Sequence, residues 1–317
     1  MRRKVRANLL QLLGLVIVLA LVAAGCGGGG GGASGKVDLS NANITVGSKE
    51  FTEQLVLGQI AIQLLENAGA TVKDQTRLAG SVAAREALTS GQIDTYWEYT
   101  GTGWITYLKH TKPVPNPHKQ YEAVAKEDLQ KNNIVWLPPA PANNTYAFAV
   151  RKEAYDKLGV KKISDFGPQI KNNPSEATLC IGSEFATRDD GLPGVEKSYG
   201  FKFPGNDLVK LDEGLIYQAV DKGDKCNFGE VFQTDGRISA LGLKLIADDK
   251  NFFPIYQPSL NVREDVIKKY PQIKKLFAPV SQKLTTQTLQ KLNAEVDVKG
   301  LLPEDVAQKW LSENGFI

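Results

Sequence analysis

From Asn43 onward, short apolar runs alternate with longer amphipathic segments. The run "NITVGSK" has the pattern of a buried strand that leads into a loop. The next segment, "FTEQLVLGQIAIQLLENAG", places Leu57, Leu64 and Leu65 on one helical face and ends at Gly69. A second strand pattern, "TVKDQTRL", follows it. This alternation predicts an α/β fold with mostly parallel sheets and helices on both faces.

The next helix and strand bring a cluster of aromatic residues to one place. "SVAAREALTSG" is predicted to be a helix with Ser81 as its N-cap and Gly91 as its end. The strand "IDTYWEY" then runs into the turn "TGTG". Ligands of open α/β sheets bind at this edge. Because Tyr96 and Trp97 alternate with Tyr99 along the strand, at least one of them is expected in the core.

The chain begins with the features of an export signal. The basic "MRRKVR" and the apolar "LLQLLGLVIVLALVAAG" precede Cys26, which predicts a signal peptide over residues 1–25. "AAGC" resembles a bacterial lipoprotein cleavage box, so Cys26 is the predicted lipidation site. The alternative is that residues 9–24 stay as a membrane anchor. In both cases the rest of the chain lies outside the cytoplasm, tethered through a flexible Gly-rich linker over residues 26–42.

Composition and charge limit the kinds of molecule that this protein could bind. The 317 residues, 42% of them hydrophobic, suffice for one large domain or two ordinary ones. The formal net charge of +3 is concentrated in the leader, because four of the 38 bases precede Cys26 and the acids number 35. The rest of the chain is close to neutral, which argues against a nucleic-acid partner.

The numbers and positions of the cysteines and histidines bear on disulfide formation, metal binding and catalysis. Cys180 and Cys226, 46 positions apart, are predicted to form a disulfide, with two free buried thiols as the alternative. His110 and His118 share one proline-containing loop and match no zinc motif. We therefore expect no metal, no cofactor and no enzymatic activity.

Five blocks of sequence carry a family resemblance. They are "ITVGSKEFTEQLVLGQI", "GQIDTYWEYTGTGW", "SEFATRDDGLPG", "GEVFQTDGRI" and "FFPIYQPSLNVRED". In this order they resemble the glycine betaine and osmoprotectant-binding proteins of bacterial and archaeal ABC importers. The resemblance extends from about Ile44 to the C-terminus.

The resemblance implies a two-lobed periplasmic-binding-protein fold of type II with two crossover hinge segments. Lobe 1 would comprise residues 43–144 and 253–317, and lobe 2 residues 145–252. The helix-free stretches "PPAPANN" and "DDKNFFPIYQP" suit the two crossovers near Asn144 and Phe253. A ligand would be trapped in the cleft when the lobes close.

The resemblance also implies an aromatic cage. A quaternary ammonium has no N–H to donate, so aromatic ring faces hold it by cation–π attraction. Tyr99, Tyr146 and Tyr256 match the cage positions of the family, and the fourth position falls on Phe232, where the family often has Tyr.

The family holds a ligand carboxylate with basic and hydroxyl side chains. Lys49, Thr102 and Arg188 match those positions, and the planar fork of an arginine suits a carboxylate. Without the resemblance, Lys49 would be read as a solvated surface lysine. Arg188 would be read as a surface ion pair with Asp189 and Asp190.

These assignments predict a monomeric, lipid-anchored binding protein on the extracytoplasmic face of the cell membrane. It would capture a quaternary ammonium solute and deliver it to an ABC permease and its ATPase for osmoprotection. Glycine betaine, carnitine and choline are candidate ligands, and the retained bases favour a zwitterion. A ligand sensor, or a binding protein for ergothioneine, is the alternative.

Overall fold

The computed structural model describes residues 37–317. The predicted signal peptide, the lipid site at Cys26 and the glycine run of the linker lie outside the described residues. Residues 37–42, which were predicted to belong to the flexible linker, are instead ordered against the protein. Leu39 and Ala42 are buried, and the Leu39 N–H donates to the Ala68 carbonyl at 2.7 Å. Apolar burial explains why this part of the predicted linker is packed.

Between residues 37 and 317, ten strands form two five-stranded sheets. The first sheet has the order β2-β1-β3-β10-β4 and contains Asn43–Lys49 (β1), Thr71–Leu78 (β2), Thr95–Tyr99 (β3), Ile134–Trp136 (β4) and Pro258–Arg263 (β10). The second has the order β7-β6-β8-β5-β9 and contains Tyr146–Val150 (β5), Leu179–Ile181 (β6), Leu208–Lys210 (β7), Phe228–Phe232 (β8) and Lys244–Ile246 (β9). We use lobe 1 and lobe 2 for these two sheets with the helices packed on them.

In each sheet, four strands run in one direction and one runs against them. The reversed strands are β10 in the first sheet and β5 in the second, each antiparallel to both of its neighbours. Each is the first strand that the chain forms after it crosses from the other lobe. The sheets are therefore mixed in pairing, and the predicted parallel direction holds for the other strands.

Helices cover both faces of the sheets. They are Thr52–Asn67 (α1), Gly80–Ser90 (α2), Thr100–Thr102 (α3), Pro117–Asn132 (α4), Lys152–Leu158 (α5), Phe166–Asn172 (α6), Leu192–Tyr199 (α7), Glu213–Lys222 (α8), Arg237–Ala240 (α9), Glu264–Lys269 (α10), Gln272–Lys283 (α11), Thr286–Asp297 (α12) and Pro303–Glu313 (α13). A π-helical turn, Gly103–Tyr107, continues α3, and short 3₁₀ turns occur at Ile163–Asp165, Pro174–Glu176 and Gly205–Asp207.

The first two helices agree with the sequence-based prediction in their buried face and in their C-terminal glycine, but not in the N-cap of α2. α1 buries Leu57, Leu64 and Leu65, the face predicted from periodicity. Gly91 ends α2 in the left-handed conformation, with φ of 79°, as expected for a helix C-terminus. Ser81 is not the N-cap, since α2 already begins at Gly80.

The aromatic residues of β3 divide between core and cleft. Trp97 is 1% exposed and packs edge-on against Phe277, with ring centroids 6.2 Å apart. Tyr96 is buried in the cluster on the opposite face of the sheet. Tyr99 ends the strand and belongs to the cluster that faces lobe 2. Only Tyr99 of these three rings therefore reaches the cleft.

The two crossover segments run side by side. The Asn144 N–H donates to the Tyr256 carbonyl at 3.0 Å, and the Tyr256 N–H donates to Asn143 Oδ1 at 2.8 Å. The Thr145 hydroxyl donates to the Pro254 carbonyl at 3.1 Å. These bonds join the two crossover segments to each other.

Lobe 2 contains the predicted disulfide. Cys180 on β6 and Cys226 just before β8 are bonded, with Cα atoms 5.7 Å apart. Between residues 37 and 317 there is no helix with both the length and the apolar character needed to span a membrane.

Candidate functional site

A cavity of about 410 Å³, partly open to solvent, lies between the lobes. All seven residues predicted for the ligand site line it: Lys49, Tyr99, Thr102, Tyr146, Arg188, Phe232 and Tyr256. Seven further residues, which were not predicted from the sequence, also line it: Glu50, Phe51, Gly80, Ser81, Asn144, Glu184 and Glu213. We call this space the ring cavity.

Its aromatic side chains contact one another in a continuous row. The Tyr146 ring lies 5.3 Å from Phe232 and 5.5 Å from Tyr256, centroid to centroid, and is nearly perpendicular to Tyr256. Phe51 joins the row by stacking 5.2 Å from Phe232 and 6.3 Å from Tyr99. Rings at such angles can present their faces to one cation within the roughly 6 Å reach of cation–π attraction.

Phe51 is a ring that sequence reasoning did not assign to the site. It lies two positions after Lys49, in the junction between β1 and α1. Its neighbours, Lys49 and Tyr99, were both predicted site residues. The available signal was its position at the carboxyl end of β1, the edge where ligands of α/β sheets bind.

Carboxylates hold two of the tyrosine hydroxyls. The Tyr99 hydroxyl donates to Glu53 Oε1 at 2.8 Å, and the Tyr256 hydroxyl donates to Asp190 Oδ2 at 2.7 Å. Burial raises the pKa of Tyr99 and of Tyr256 well above the ordinary value, so both remain neutral phenols. These bonds fix the ring orientations and leave the faces for a ligand.

Gly101 in the "TGTG" turn allows the Tyr256 ring to approach closely. A Cβ at position 101 would lie 2.6 Å from Tyr256 Cδ1. The glycine therefore serves ring packing, which the sequence pattern alone did not indicate.

Arg188 is buried, and its fork is directed at a protein carboxylate. Nε donates to Asp190 Oδ1 at 2.7 Å and Nη2 to Asp190 Oδ2 at 2.6 Å, while the two side chains are 9% and 2% exposed. The surface ion pair considered as an alternative for Arg188 is therefore wrong. The outer edge of the guanidinium approaches Glu184 at 3.2 Å and Thr102 Oγ1 at 3.5 Å.

Lys49 is likewise buried and paired. Its Nζ donates to Glu98 Oε1 at 2.7 Å and lies 5.1 Å from the Tyr99 ring centroid. Glu98 also accepts hydroxyl bonds from Tyr96 at 2.9 Å and from Tyr107 at 2.5 Å. The alternative of a solvated surface lysine is wrong, because the Lys49 side chain is 4% exposed.

Glu184 of lobe 2 contacts lobe 1 at the beginning of α2. Its carboxylate accepts hydrogen bonds from the Ser81 N–H and, at 3.0 Å, from the Ser81 hydroxyl. Ser81 therefore contacts a residue of the other lobe instead of capping its own helix. Burial raises the pKa of Glu184, but Lys49 and Arg188 outweigh it and hold that pKa below its usual value.

More acidic than basic side chains line the ring cavity. Glu50, Glu184 and Glu213 line it against two bases, and both bases are already paired with other carboxylates. Burial, followed by repulsion from neighbouring acids, raises the pKa of Glu213 well above its ordinary value. The part of the chain from 37 to 317 has no cluster of three or more His, Cys, Asp or Glu side chains suited to a metal ion.

Two α/β lobes, paired crossovers and a ring-lined cavity between them define a substrate-binding protein of the periplasmic-binding-protein fold. The chain belongs to the family described as the substrate-binding domain of ABC-type glycine betaine transport systems, whose family model matches residues 42–313. Proteins of this family act outside the cytoplasm and serve transport, not catalysis.

Individual relatives agree with this assignment. The glycine betaine-binding protein YehZ of Escherichia coli K12 is 36% identical over 278 residues, which are 86% of this chain and 91% of that protein. The solved structure of apo YehZ has a TM-score of 0.63 and covers 87% of this chain and 99% of that chain. A glycine-betaine-binding protein of Pseudomonas aeruginosa PAO1 is 37% identical over 279 residues, 86% of this chain and 88% of that protein.

A third relative has a different named ligand. It is the ergothioneine transport permease and binding protein EgtU of Helicobacter pylori G27, which is 34% identical over 277 residues. The match covers 86% of this chain but 48% of that protein, so the chain spans about half of its length.

Proposed function

We propose that this protein captures a quaternary ammonium zwitterion, with glycine betaine as the leading candidate, and delivers it to an ABC permease for osmoprotection. One observation carries the proposal: four rings and three polar side chains line a single cavity, six of them assigned from five separated sequence blocks and Tyr146 from the stretch just after the first crossover. The named ligands of the relatives in E. coli and P. aeruginosa support it.

In this proposal Tyr99, Tyr146, Phe232 and Tyr256 surround the methylated cation, and Phe51 adds a fifth ring. Each ring contributes roughly 0.5–2 kcal/mol through cation–π attraction. Burial of the rings raises this contribution, because desolvated cation–π pairs are stronger.

The ligand carboxylate binds at the polar end of the cavity. There it meets the outer edge of Arg188, the Thr102 hydroxyl and the free N–H groups of Lys49. Because the Arg188 fork already holds Asp190, the ligand competes with Glu184 for the remaining N–H groups. Lys49 and Thr102 belong to lobe 1 and Arg188 to lobe 2, so one carboxylate favours closure of the lobes.

The proposal includes the lobe boundaries and the lipid anchor that were predicted from the sequence. The domain boundaries are residues 43–144 and 253–317 for lobe 1, and 145–252 for lobe 2. A lipid on Cys26 tethers the monomer to the extracytoplasmic face of the membrane, beside its permease and ATPase.

Isothermal titration calorimetry on the full chain tests the function. We expect glycine betaine to bind with about micromolar affinity, close to 8 kcal/mol. Proline betaine, carnitine, choline and ergothioneine complete the panel, and glycine is the matched control because it keeps the carboxylate but lacks the methyl groups. Absence of heat with all five methylated ligands would contradict the proposal.

Ergothioneine is the second candidate ligand. The relationship to EgtU favours it, and a larger space beside the ring cavity could accept more than a compact betaine. Tighter binding of ergothioneine than of glycine betaine in the same panel would establish it as the preferred ligand.

A further inference from the structure

Glu184 places a protein carboxylate at the polar end of the ring cavity. Its side chain lines the cavity from lobe 2 and is 30% exposed. The carboxylate accepts hydrogen bonds from the Ser81 N–H, from the Ser81 hydroxyl at 3.0 Å and from Arg188 Nη1 at 3.2 Å. We call the place held by these three donors the anion position. It is built from both lobes, because Ser81 belongs to lobe 1 and Arg188 to lobe 2.

The surroundings of the anion position suit one negative charge. Gly80 and Ser81 begin α2, and backbone N–H groups at a helix N-terminus attract anions. A Cβ at position 80 would collide with Glu184 Oε1, so the glycine leaves room for the carboxylate. Burial raises the pKa of Glu184, but Lys49 and Arg188 hold that pKa below its usual value. Glu184 therefore fills the anion position with a full charge at neutral pH.

The anion position lies within reach of a small ligand that is held by the rings. The Arg188 guanidinium carbon is 5.8 Å from the Tyr146 ring centroid, and Arg188 Nη2 is 3.5 Å from the Thr102 hydroxyl. Lys49, Thr102 and Arg188 are the side chains proposed to hold the ligand carboxylate. A carboxylate bound there would meet Glu184 at the same edge of the guanidinium. Like charges placed side by side strongly oppose binding.

Two simple ligand types differ at this end. Glycine betaine ends in a carboxylate, whereas choline ends in a hydroxyl that can donate a hydrogen bond. Glu184 in the anion position repels the carboxylate but can accept from the hydroxyl. A site that pairs with a ligand hydroxyl discriminates against an analogue without it. Glu184 should therefore affect the two ligands in opposite directions.

We infer that Glu184 is a specificity-determining residue of the ring cavity, which favours alcohol-bearing cations such as choline and opposes carboxylate-bearing ones such as glycine betaine. This inference rests on the proposed function and concerns how the same cavity distinguishes ligand classes. Glycine betaine binds by displacing Glu184 from Ser81 and Arg188, whereas choline binds while Glu184 keeps these bonds. A contact that merely joined the lobes would affect both ligands alike.

Calorimetry on Glu184→Gln in the full chain tests the inference. The variant keeps the shape of the side chain but removes its charge. Glycine betaine should bind to it at least about tenfold more tightly than to the wild type. Choline should bind to it at least about threefold more weakly, because its hydroxyl loses a charged acceptor.

A matched ligand isolates the choline hydroxyl. n-Propyltrimethylammonium has the same cation and nearly the same length, but a methyl group replaces the hydroxyl. In the wild type, choline should bind at least about threefold more tightly than this analogue. In Glu184→Gln the two affinities should be about equal. The wild-type comparison tests the inference even if a variant fails to fold.

Two further variants separate selectivity from a general effect on the protein. Glu184→Ala removes the side chain and should change both affinities in the same directions as Glu184→Gln. Glu127→Gln is the matched control, since Glu127 is also partly buried and paired with a base, Lys131 at 2.6 Å, but does not line the cavity. It should leave the affinities for glycine betaine and choline unchanged.

The outcomes separate the two proposals. Binding of glycine betaine to the wild type, with no gain in Glu184→Gln, would overturn only the role of Glu184. Weaker binding of both ligands by the variant would also overturn that role, as would equal affinities of choline and its propyl analogue for the wild type. Absence of binding by all three ligands would overturn both proposals.

Discussion

Tyr99 connects the ring cavity to a buried polar network. Its ring lines the cavity, while its hydroxyl donates to Glu53, which also accepts from Asn144 and Asn293. The ring and the hydroxyl of this residue can therefore be tested separately.

Tyr99→Ala should weaken glycine betaine binding by roughly 1–3 kcal/mol, through lost cation–π attraction and lost ring burial. Tyr99→Phe keeps the ring and should retain most of the affinity, while losing stability because Glu53 loses one donor. Calorimetry and thermal melting of both variants distinguish the two roles. Wild-type affinity in Tyr99→Ala would remove Tyr99 from the site.

Glu230 is a buried carboxyl behind the cavity, close to Glu184, Glu213 and Arg188. Burial raises its pKa from 4.5 to about 7. The folded chain therefore keeps this proton to a higher pH than the unfolded chain does. As pH rises from 4.5 towards 7, this group lowers the free energy of unfolding, by on the order of 3 kcal/mol.

Glu230→Gln should remove this dependence while keeping an oxygen for the Gly182 N–H. Urea unfolding at about pH 5 and about pH 7.5 should show a smaller loss of stability in the variant than in the wild type. Glu196→Gln is the control, because Glu196 also accepts a backbone N–H, from Phe203 at 2.9 Å. Identical pH dependence in Glu230→Gln and wild type would refute the assignment.

At the scale of elements, the turn after β3 positions a ring from the crossover. α3 begins where β3 ends, and Gly101 within it lies against the Tyr256 ring. The Tyr256 hydroxyl is also held by Asp190, to which it donates at 2.7 Å. The ring therefore has little freedom to move away from an added methyl group.

Gly101→Ala should displace Tyr256, lowering stability by about 1–3 kcal/mol, and should weaken ligand binding as well. Gly205→Ala is the matched control, since a Cβ at position 205 meets no atom within 4 Å. Thermal melting and calorimetry measure both effects. If Gly101→Ala bound ligand as well as the control variant, close packing at this turn would not matter for the site.

At the scale of the whole molecule, the cleft is spanned by polar contacts between the lobes. Glu184 on lobe 2 binds Ser81 on lobe 1, and Arg188 reaches Thr102. α12 adds a further contact, because Asn293 donates to the Thr234 carbonyl at 3.0 Å. Opening and closing must exchange these contacts for ligand or solvent.

Arg188→Ala should weaken glycine betaine binding by about 2–5 kcal/mol, because a buried carboxylate loses its charged partner. Choline, which has no carboxylate, should lose much less. In small-angle scattering with glycine betaine the wild type should become more compact, and the variant less so.

Arg263→Ala is the control, because it removes an arginine from a carboxylate pair outside the cleft. Arg263 also forms a bidentate pair, with Asp265, but that pair is exposed and remote from the cleft. Full affinity and full compaction in Arg188→Ala would show that the carboxylate pocket lies elsewhere.

Periodicity and cysteine content predicted the α/β alternation and the disulfide, and the family resemblance supplied the two crossovers and the seven residues that line the ring cavity. Periodicity and composition report local structure, and the family blocks identify which side chains recur at one kind of site. The same pattern could not separate Trp97 from Tyr99, because alternation assigns a face of the sheet but not an end of the strand.

The partners of these side chains depend on the fold, because most of them are far apart along the chain. Tyr99 and Glu53 are 46 positions apart, Ser81 and Glu184 are 103 apart, and Asn293 and Glu53 are 240 apart. No local pattern reports such distances, so the place of Phe51 among the rings and the bonds to Glu53 became visible only in the folded chain. Asp190 lies two positions from Arg188, and what the fold adds to that pair is its burial. Hydrogen bonds and charge pairs depend on contacts of a few ångströms, which the packing of the two lobes sets.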